Sequence, residues 1–225
     1  MLKIAKKTKS LVIAILIGGK SSRFGTDKGL YEISGKPLIS YQLETLNDLK
    51  YDIFLVAKSI RQVSGYMEKI DLSKINGFIV DELDKSSKVI YTPMIGLYSA
   101  FKELSRLKYK KVLALSCDSP FIKINVLRYL IEQCKTSDCC IPQWSNGFLE
   151  PLIAIYPIDK GLITARKNIE DKTYKLTHLI ISSWKTNFIS IEREIYPLDN
   201  DLVSFVNIND PSDIEKLKEK KILNF

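Results

Sequence analysis

Residues 11–30 read LVIAILIGGKSSRFGTDKGL, and this stretch decides the fold. Its first seven residues form an unbroken apolar run rich in Val and Ile, the pattern of a strand covered on both faces inside a parallel sheet. Gly18 and Gly19 end the run, and Lys20, Ser21, Ser22, Arg23, Gly25, Asp27 and Lys28 follow at once. Glycines permit tight turns and let a ligand come close to backbone N–H groups, while Arg23 and Lys28 can neutralise phosphate oxygens. The pattern predicts a solvent-facing loop that holds a polyphosphate.

Two common phosphate loops do not fit. A Walker A loop needs a glycine five positions before Gly19, where Ala14 stands, and Gly18, Gly19 and Gly25 miss the spacing of a dinucleotide fingerprint. What fits is G-G-x-S-x-R-F-G-x-D-K directly after an apolar strand. On Gly18, Gly19, Ser21, Arg23, Phe24, Gly25, Asp27 and Lys28 the chain resembles the nucleotidyltransferases related to molybdenum cofactor guanylyltransferase. The resemblance recurs in order at Asp81, at Cys117-Asp118-Ser119-Pro120-Phe121, at Glu150-Pro151-Leu152 and from Asn207 to Asp213.

The 225 residues show no composition break, linker or repeat, so a single nucleotidyltransferase domain over 1–225 is expected, with a basic extension at 1–10. A charge of +8, from 34 Lys and Arg against 26 Asp and Glu, suits anionic partners. The basic residues are scattered apart from clusters at the two termini, without interleaved aromatics, which argues against nucleic acid. The opening MLKIAKKTKS before LVIAILI imitates a secretory signal. However, the apolar run is too short to span a bilayer, no small-x-small cleavage site follows, and cleavage would remove the first strand. The expectation is a cytoplasmic protein with no membrane attachment. Cys117, Cys134, Cys139 and Cys140 form no C-x-x-C pair, and the lone His178 has no metal-spaced partner, so neither zinc nor a His-based nucleophile is expected.

Along the chain, the spacing predicts a helix over 37–49 with Pro37 in its first turn, strands at 53–57 and 78–80, and a helix over 97–107. A strand at 111–115, a helix over 125–135 and a strand at 139–142 come next. Asn146-Gly147 between strand-like runs signals a hairpin and hence an antiparallel portion in the C-terminal half. Residues 162–183 read as mainly helical, 188–191 and 205–209 as strands, and Asp210-Pro211 as the start of a last helix. The β-α-β-α alternation predicts a mostly parallel sheet between two helical layers. With the resemblance, this is a three-layer α/β/α, Rossmann-like nucleotidyltransferase fold.

Nucleotidyl transfer needs charge neutralisation and in-line positioning more than a special side chain. Backbone N–H groups of residues 18–22 would cradle the β- and γ-phosphates, Arg23 would grip their oxygens, and Lys28 would meet charge on the α-phosphate and leaving pyrophosphate. Asp118 follows a strand at the edge where open α/β sheets bind ligands, and would hold Mg²⁺. The resemblance implies that Leu16, Ile17 and Gly18 contact the nucleotide, Lys28 its phosphates, Asp81 the guanosine, and Asp118 both GTP and Mg²⁺. Asn207 and Asn209, on one strand face, are candidates for the metal or acceptor side, and Glu150 for the acceptor or a salt bridge. Three places depart from the family pattern: Ile17 for the Ala of Leu-Ala-Gly-Gly, Thr92 for the first glycine of Gly-Pro-Leu-x-Gly, and Val56-Ala57-Lys58, where an Asn is expected.

The reaction implied is transfer of GMP from GTP to the terminal phosphate of molybdopterin, releasing pyrophosphate. Proteins of molybdenum cofactor biosynthesis or molybdoenzymes would then be its partners. Transfer from CTP, or to a sugar phosphate or phosphorylated alcohol, is the neighbouring alternative, and a non-catalytic nucleotide-binding adaptor is a different class. An adaptor would be expected to have lost Lys28 or Asp118, and both are present.

Overall fold

Strand β1 (Lys9–Leu16) carries the apolar run, and Val12, Ile13, Ala14 and Ile15 in it are wholly buried. This is a computed structural model that describes residues 9–18, 24, 26–81 and 92–219. After β1 come a short hairpin, β2 (Glu32–Ile33) and β3 (Lys36–Pro37), then α1 (Leu38–Asn47), β4 (Ile53–Ala57), α2 (Ile60–Lys69) and β5 (Gly77–Val80). The chain continues through α3 (Pro93–Arg106), β6 (Tyr109–Ser116), α4 (Ile124–Gln133), β7 (Cys139–Gln143) and β8 (Ile153–Pro157). It then forms α5 (Ile158–Glu170), β9 (Thr186–Ser190) and α6 (Pro211–Glu219).

Seven strands make one sheet in the order β5-β4-β1-β6-β8-β7-β9. β5, β4, β1 and β6 pair in parallel, β8 runs antiparallel to both β6 and β7, and β9 is parallel to β7. The strand period of two sorts β1 between two cores. Ile13, Ile15 and Ile17 pack with α1, α2 and α4 on one face, while Val12, Ala14 and Leu16 pack with α3 and α5 on the other. Fully burying one such aliphatic side chain contributes about 1.5–3 kcal/mol, so an uninterrupted apolar run is what a strand between two helical layers requires. A smaller cluster, in which Phe24, Ile33, Leu38, Ile208, Ile214 and Leu217 are buried, ties α6 to the hairpin and to the start of α1. All four cysteines are buried and free.

Three local expectations are corrected. Pro37 precedes α1 rather than lying in its first turn, because Ile33 and Lys36 pair across the hairpin and keep the backbone extended as far as Pro37. The helix expected over 162–183 is α5, which starts earlier and ends at Glu170; Lys172 then adopts a φ of 56° and only a single turn, Leu176–Leu179, follows. Residues 205–209 form no strand. Val203–Phe205 is a 3₁₀ turn, held where the buried Asp199 carboxylate accepts the Ser204 N–H at 2.8 Å. The Ile208 N–H then bonds a loop carbonyl, that of Asp118, at 2.7 Å, instead of joining a ladder.

Candidate functional site

β1, β4 and β6 are neighbours, so their carboxyl ends meet at one edge of the sheet. There the Leu16 carbonyl accepts the Cys117 N–H at 3.1 Å, Ile17 N–H donates to Val56 at 3.0 Å, and Asp81 N–H donates to Ala57 at 2.8 Å. The Ile17 side chain is turned into the core and is 2% exposed. Gly18 is exposed, and a Cβ on it would sit 3.5 Å from the Lys58 Cβ. Gly19, Ser21, Ser22 and Arg23, expected to complete the phosphate loop, lie outside the described residues.

Lys28 opens the 3₁₀ turn Lys28–Leu30, which Asp27 caps. Its ammonium donates to Asn209 Oδ1 at 3.0 Å and stands 3.9 Å from Asp118 Oδ2. The Lys28 side chain is only 16% exposed, so the solvent-facing lysine expected from sequence is instead largely covered. The ammonium also stands over the Phe24 ring, 5.8 Å from its centroid.

The loop after β6 carries Asp118 and is pinned from two directions. Gln42, fully buried on α1, donates through Nε2 to the carbonyls of Ser116 and Ser119 at 3.1 and 3.2 Å. From the other side Ile208 N–H binds the Asp118 carbonyl, and the Ser119 hydroxyl donates to Asn207 Oδ1 at 2.8 Å. Lys28, Asp118, Asn207 and Asn209 therefore come together, although the two asparagines sit on an extended segment and not on a strand.

Asp81 follows β5 beside the start of α3. Thr92 caps α3 by accepting the Ile95 N–H, with Pro93 in the first turn. Gly96 lets the helix approach closely: a Cβ there would lie 3.2 Å from Leu16 Cδ2 and 3.7 Å from Asp81 Oδ1. Asp81 Oδ1 is buried with no hydrogen-bond partner among the described residues, and burial pushes the carboxyl up to about 6. Glu150 accepts the Trp144 indole N–H at 2.7 Å and has no ion-pair partner among the described residues. Burial raises its carboxyl above the usual range; the Trp144 bond opposes this and the Asp118 charge adds to it.

A buried carboxylate oxygen without a partner among the described residues, on the same edge of the sheet as a covered lysine and a strand-end aspartate, makes a site shaped for a polar, charged ligand. The family model described as the MobA-like NTP transferase domain matches residues 13–180 of the chain. The chain belongs to the MobA-like NTP transferase family. A relative from Pyrococcus horikoshii, named a probable molybdenum cofactor guanylyltransferase, is 35% identical over 91% of this chain and 97% of its own length. One from Thermococcus sibiricus with the same name is 34% identical, covering 92% and 97%. The solved molybdopterin-guanine dinucleotide biosynthesis protein A of Archaeoglobus fulgidus superposes with a TM-score of 0.72 over 93% of this chain and 98% of that one. At 23% identity that likeness speaks to the fold. As in the fold read from the alternation, this MobA-like NTP transferase has a mostly parallel sheet with one antiparallel strand among those described.

No motif singles out Gln42, Gln62 or Tyr66 in the sequence. Their signal was present: Gln42 interrupts the apolar stripe Leu38, Ile39, Leu43 and Leu46 of α1, and a polar side chain at a core position must find partners. No described helix of this MobA-like NTP transferase is long and apolar enough to cross a membrane.

Proposed function

We propose that the protein transfers GMP from GTP to the terminal phosphate of molybdopterin. The observation that carries this reading is the covered Lys28 ammonium between Asn209 and Asp118 at the carboxyl edge of β1 and β6. Membership of the MobA-like NTP transferase family and the names of the relatives support the choice of substrates. A phosphate oxygen of the acceptor attacks the α-phosphorus of GTP; the new P–O bond forms as the bond to the β-phosphate oxygen breaks, and pyrophosphate leaves. The attacking group is already a phosphate monoester, so no protein nucleophile is needed. Lys28 meets the charge that develops on the α-phosphate and leaving group. Backbone N–H groups from Gly18, with Gly19, Ser21 and Ser22, cradle the β- and γ-phosphates, and Arg23 grips their oxygens, as the loop motif indicates. Leu16 and Ile17 line the approach through the backbone.

Mg²⁺ fits the oxygens available. Among the described residues no three acidic, His or Cys side chains cluster to hold a metal alone, whereas Mg²⁺ is commonly bound by one or two carboxylates completed by water and substrate phosphate. Asp118, 28% exposed and sharing the Lys28 ammonium with the Asn209 amide oxygen, offers such a carboxylate. The ion would supply Lewis-acid neutralisation of phosphate charge. Glu150, which feels the Asp118 charge, would contact the acceptor. Cofactor-assembly proteins or molybdoenzymes would be the partners that supply or take the product, and one domain over 1–225 carries the activity.

The test is pyrophosphate release with Mg²⁺, each of the four ribonucleoside triphosphates, and molybdopterin present or absent. GTP is expected to react, and only with molybdopterin. A strong preference for CTP would move the protein to cytidylyl transfer, and activation of a sugar phosphate but not molybdopterin would overturn the acceptor. Binding of nucleotide with no release for any acceptor would favour an adaptor.

Guanine presents N1–H and N2–H donors, the complement of the Asp81 carboxylate, whose Oδ1 has no partner among the described residues. Asp81→Asn is expected to weaken GTP preference by about 1.5–3 kcal/mol, the worth of a hydrogen bond to a charged group. The same change is expected to stabilise the nucleotide-free protein. Because the folded carboxyl titrates above its unfolded value, its contribution to stability is full below about 4 and is lost as pH rises through about 6. At pH 7.5 the Asn variant should therefore gain about 1–2 kcal/mol after allowance for solvent, and nothing at pH 4. Thermal midpoints at the two pH values, with GTP and CTP affinities at pH 7.5, check both arms.

A further inference from the structure

α2 carries Gln62 and Tyr66 one turn apart on its inner face, the first 7% exposed and the second fully buried. The Gln62 amide is satisfied in a single orientation. Oε1 accepts the Lys58 N–H at 2.8 Å, and Nε2 donates both to the Ile17 carbonyl at 2.8 Å and to Asp27 Oδ2. The other carboxylate oxygen of Asp27, Oδ1, accepts the Tyr66 hydroxyl at 2.7 Å and the Gly29 N–H at 3.3 Å. A Cβ at position 29 would collide with the Tyr66 hydroxyl, so the turn is fitted closely over that ring. One side chain thus joins the end of β1, the end of β4 and the residue that precedes Lys28. With both oxygens of Asp27 held, Lys28 leaves its turn toward Asn209 and Asp118.

We propose that Gln62, acting through Asp27 together with Tyr66, is a positioning residue that fixes the Lys28 ammonium relative to the carboxyl end of β1 for the transfer step. This rests on the reading of Lys28 as the cation that meets α-phosphate charge. A reacting group misplaced by about 1 Å can cost 10²-fold in rate even when the fold survives. A glutamine retained only to fill buried space would not need to bridge three backbone segments of the nucleotide edge.

Gln62→Glu keeps the shape but turns an oxygen toward Asp27 and the Ile17 carbonyl, whereas Tyr66→Phe removes a single hydroxyl. The expected result in the pyrophosphate-release assay is a kcat lower by about 10- to 100-fold for Gln62→Glu and about 3- to 10-fold for Tyr66→Phe. KM for the triphosphate should move by less than about 3-fold, because Lys28 acts on charge that develops in the transition state. Adding Asp27→Asn to Gln62→Glu puts a donor opposite the new acceptor and leaves Oδ1 to accept from Tyr66 and Gly29, so about tenfold of the lost kcat should return. A purely structural role predicts a lower thermal midpoint, unchanged kcat per folded molecule and no recovery, and that pattern overturns the proposal. If Gln62→Glu does not fold, the kcat of Tyr66→Phe decides. Wild-type kcat in both variants while Lys28→Ala is crippled rejects the positioning role and leaves the Lys28 reading intact; wild-type turnover in Lys28→Ala removes both.

Discussion

Lys28→Ala is expected to lower kcat by about 10²–10³-fold, the scale set by deleting one preorganised donor to transition-state charge, while changing stability by no more than about 1 kcal/mol. The separation rests on geometry. At 3.9 Å and with both side chains partly exposed, the Lys28–Asp118 pair is a weak ion pair, worth about 0–1 kcal/mol to the fold. Around the α-phosphate the same ammonium would act where water is largely displaced and electrostatic interactions strengthen. A loss of about 1 kcal/mol in a protein of this size shifts the thermal midpoint by about 2–4 °C. Pyrophosphate release and the midpoint, measured on the same preparation, distinguish the two contributions. Turnover near wild type would end the assignment of Lys28 to the phosphates.

Asp118→Ala is expected to abolish detectable turnover and to remove the Mg²⁺ dependence of GTP binding. No neighbouring carboxylate can take over, since Glu150 is engaged by the Trp144 indole and is pushed toward its neutral form by burial. The loop itself should survive, because its anchors to Gln42 and Ile208 run through backbone carbonyls that the substitution leaves in place. Calorimetric titration with GTP, in Mg²⁺ and in chelator, reads the effect. An unchanged difference between the two conditions would move the metal elsewhere.

Much of this was legible because the strand period and the apolar run leave few alternatives. The alternate burial of Val12 and Ile13, and the appearance of Asp118 just after an apolar strand, follow from pattern alone. The same reasoning failed at residues 205–209, where Phe-Val-Asn-Ile-Asn alternates as a strand would. Alternation reports which side chains find apolar cover, and Ile208 finds it against Phe24 and Leu38, but it does not report whether a ladder partner exists. The covered position of Lys28 escapes local pattern for a related reason: Asn209 and Asp118, which meet its ammonium, lie a long way along the chain, and local composition carries no trace of those contacts. Gln42 and Gln62 were readable as polar residues on apolar helix faces. Their partners were not, since these are strand-end and loop carbonyls and, for Gln62, also the Asp27 carboxylate, all placed by the assembled sheet.

The pairing of Lys28 with Asn209 spans 181 positions. Chains are made from the N-terminus, and units of structure generally consolidate as they emerge. A nascent molecule can therefore align β1, β4, β5 and β6, and with them the sheet edge proposed to take the triphosphate, well before the amide that accepts from the lysine has been synthesised. Under the proposed function, the half-made protein would hold nucleotide before it could consume it, and the contact that ends this interval is one whose closure carries an entropic cost set by its long separation along the chain.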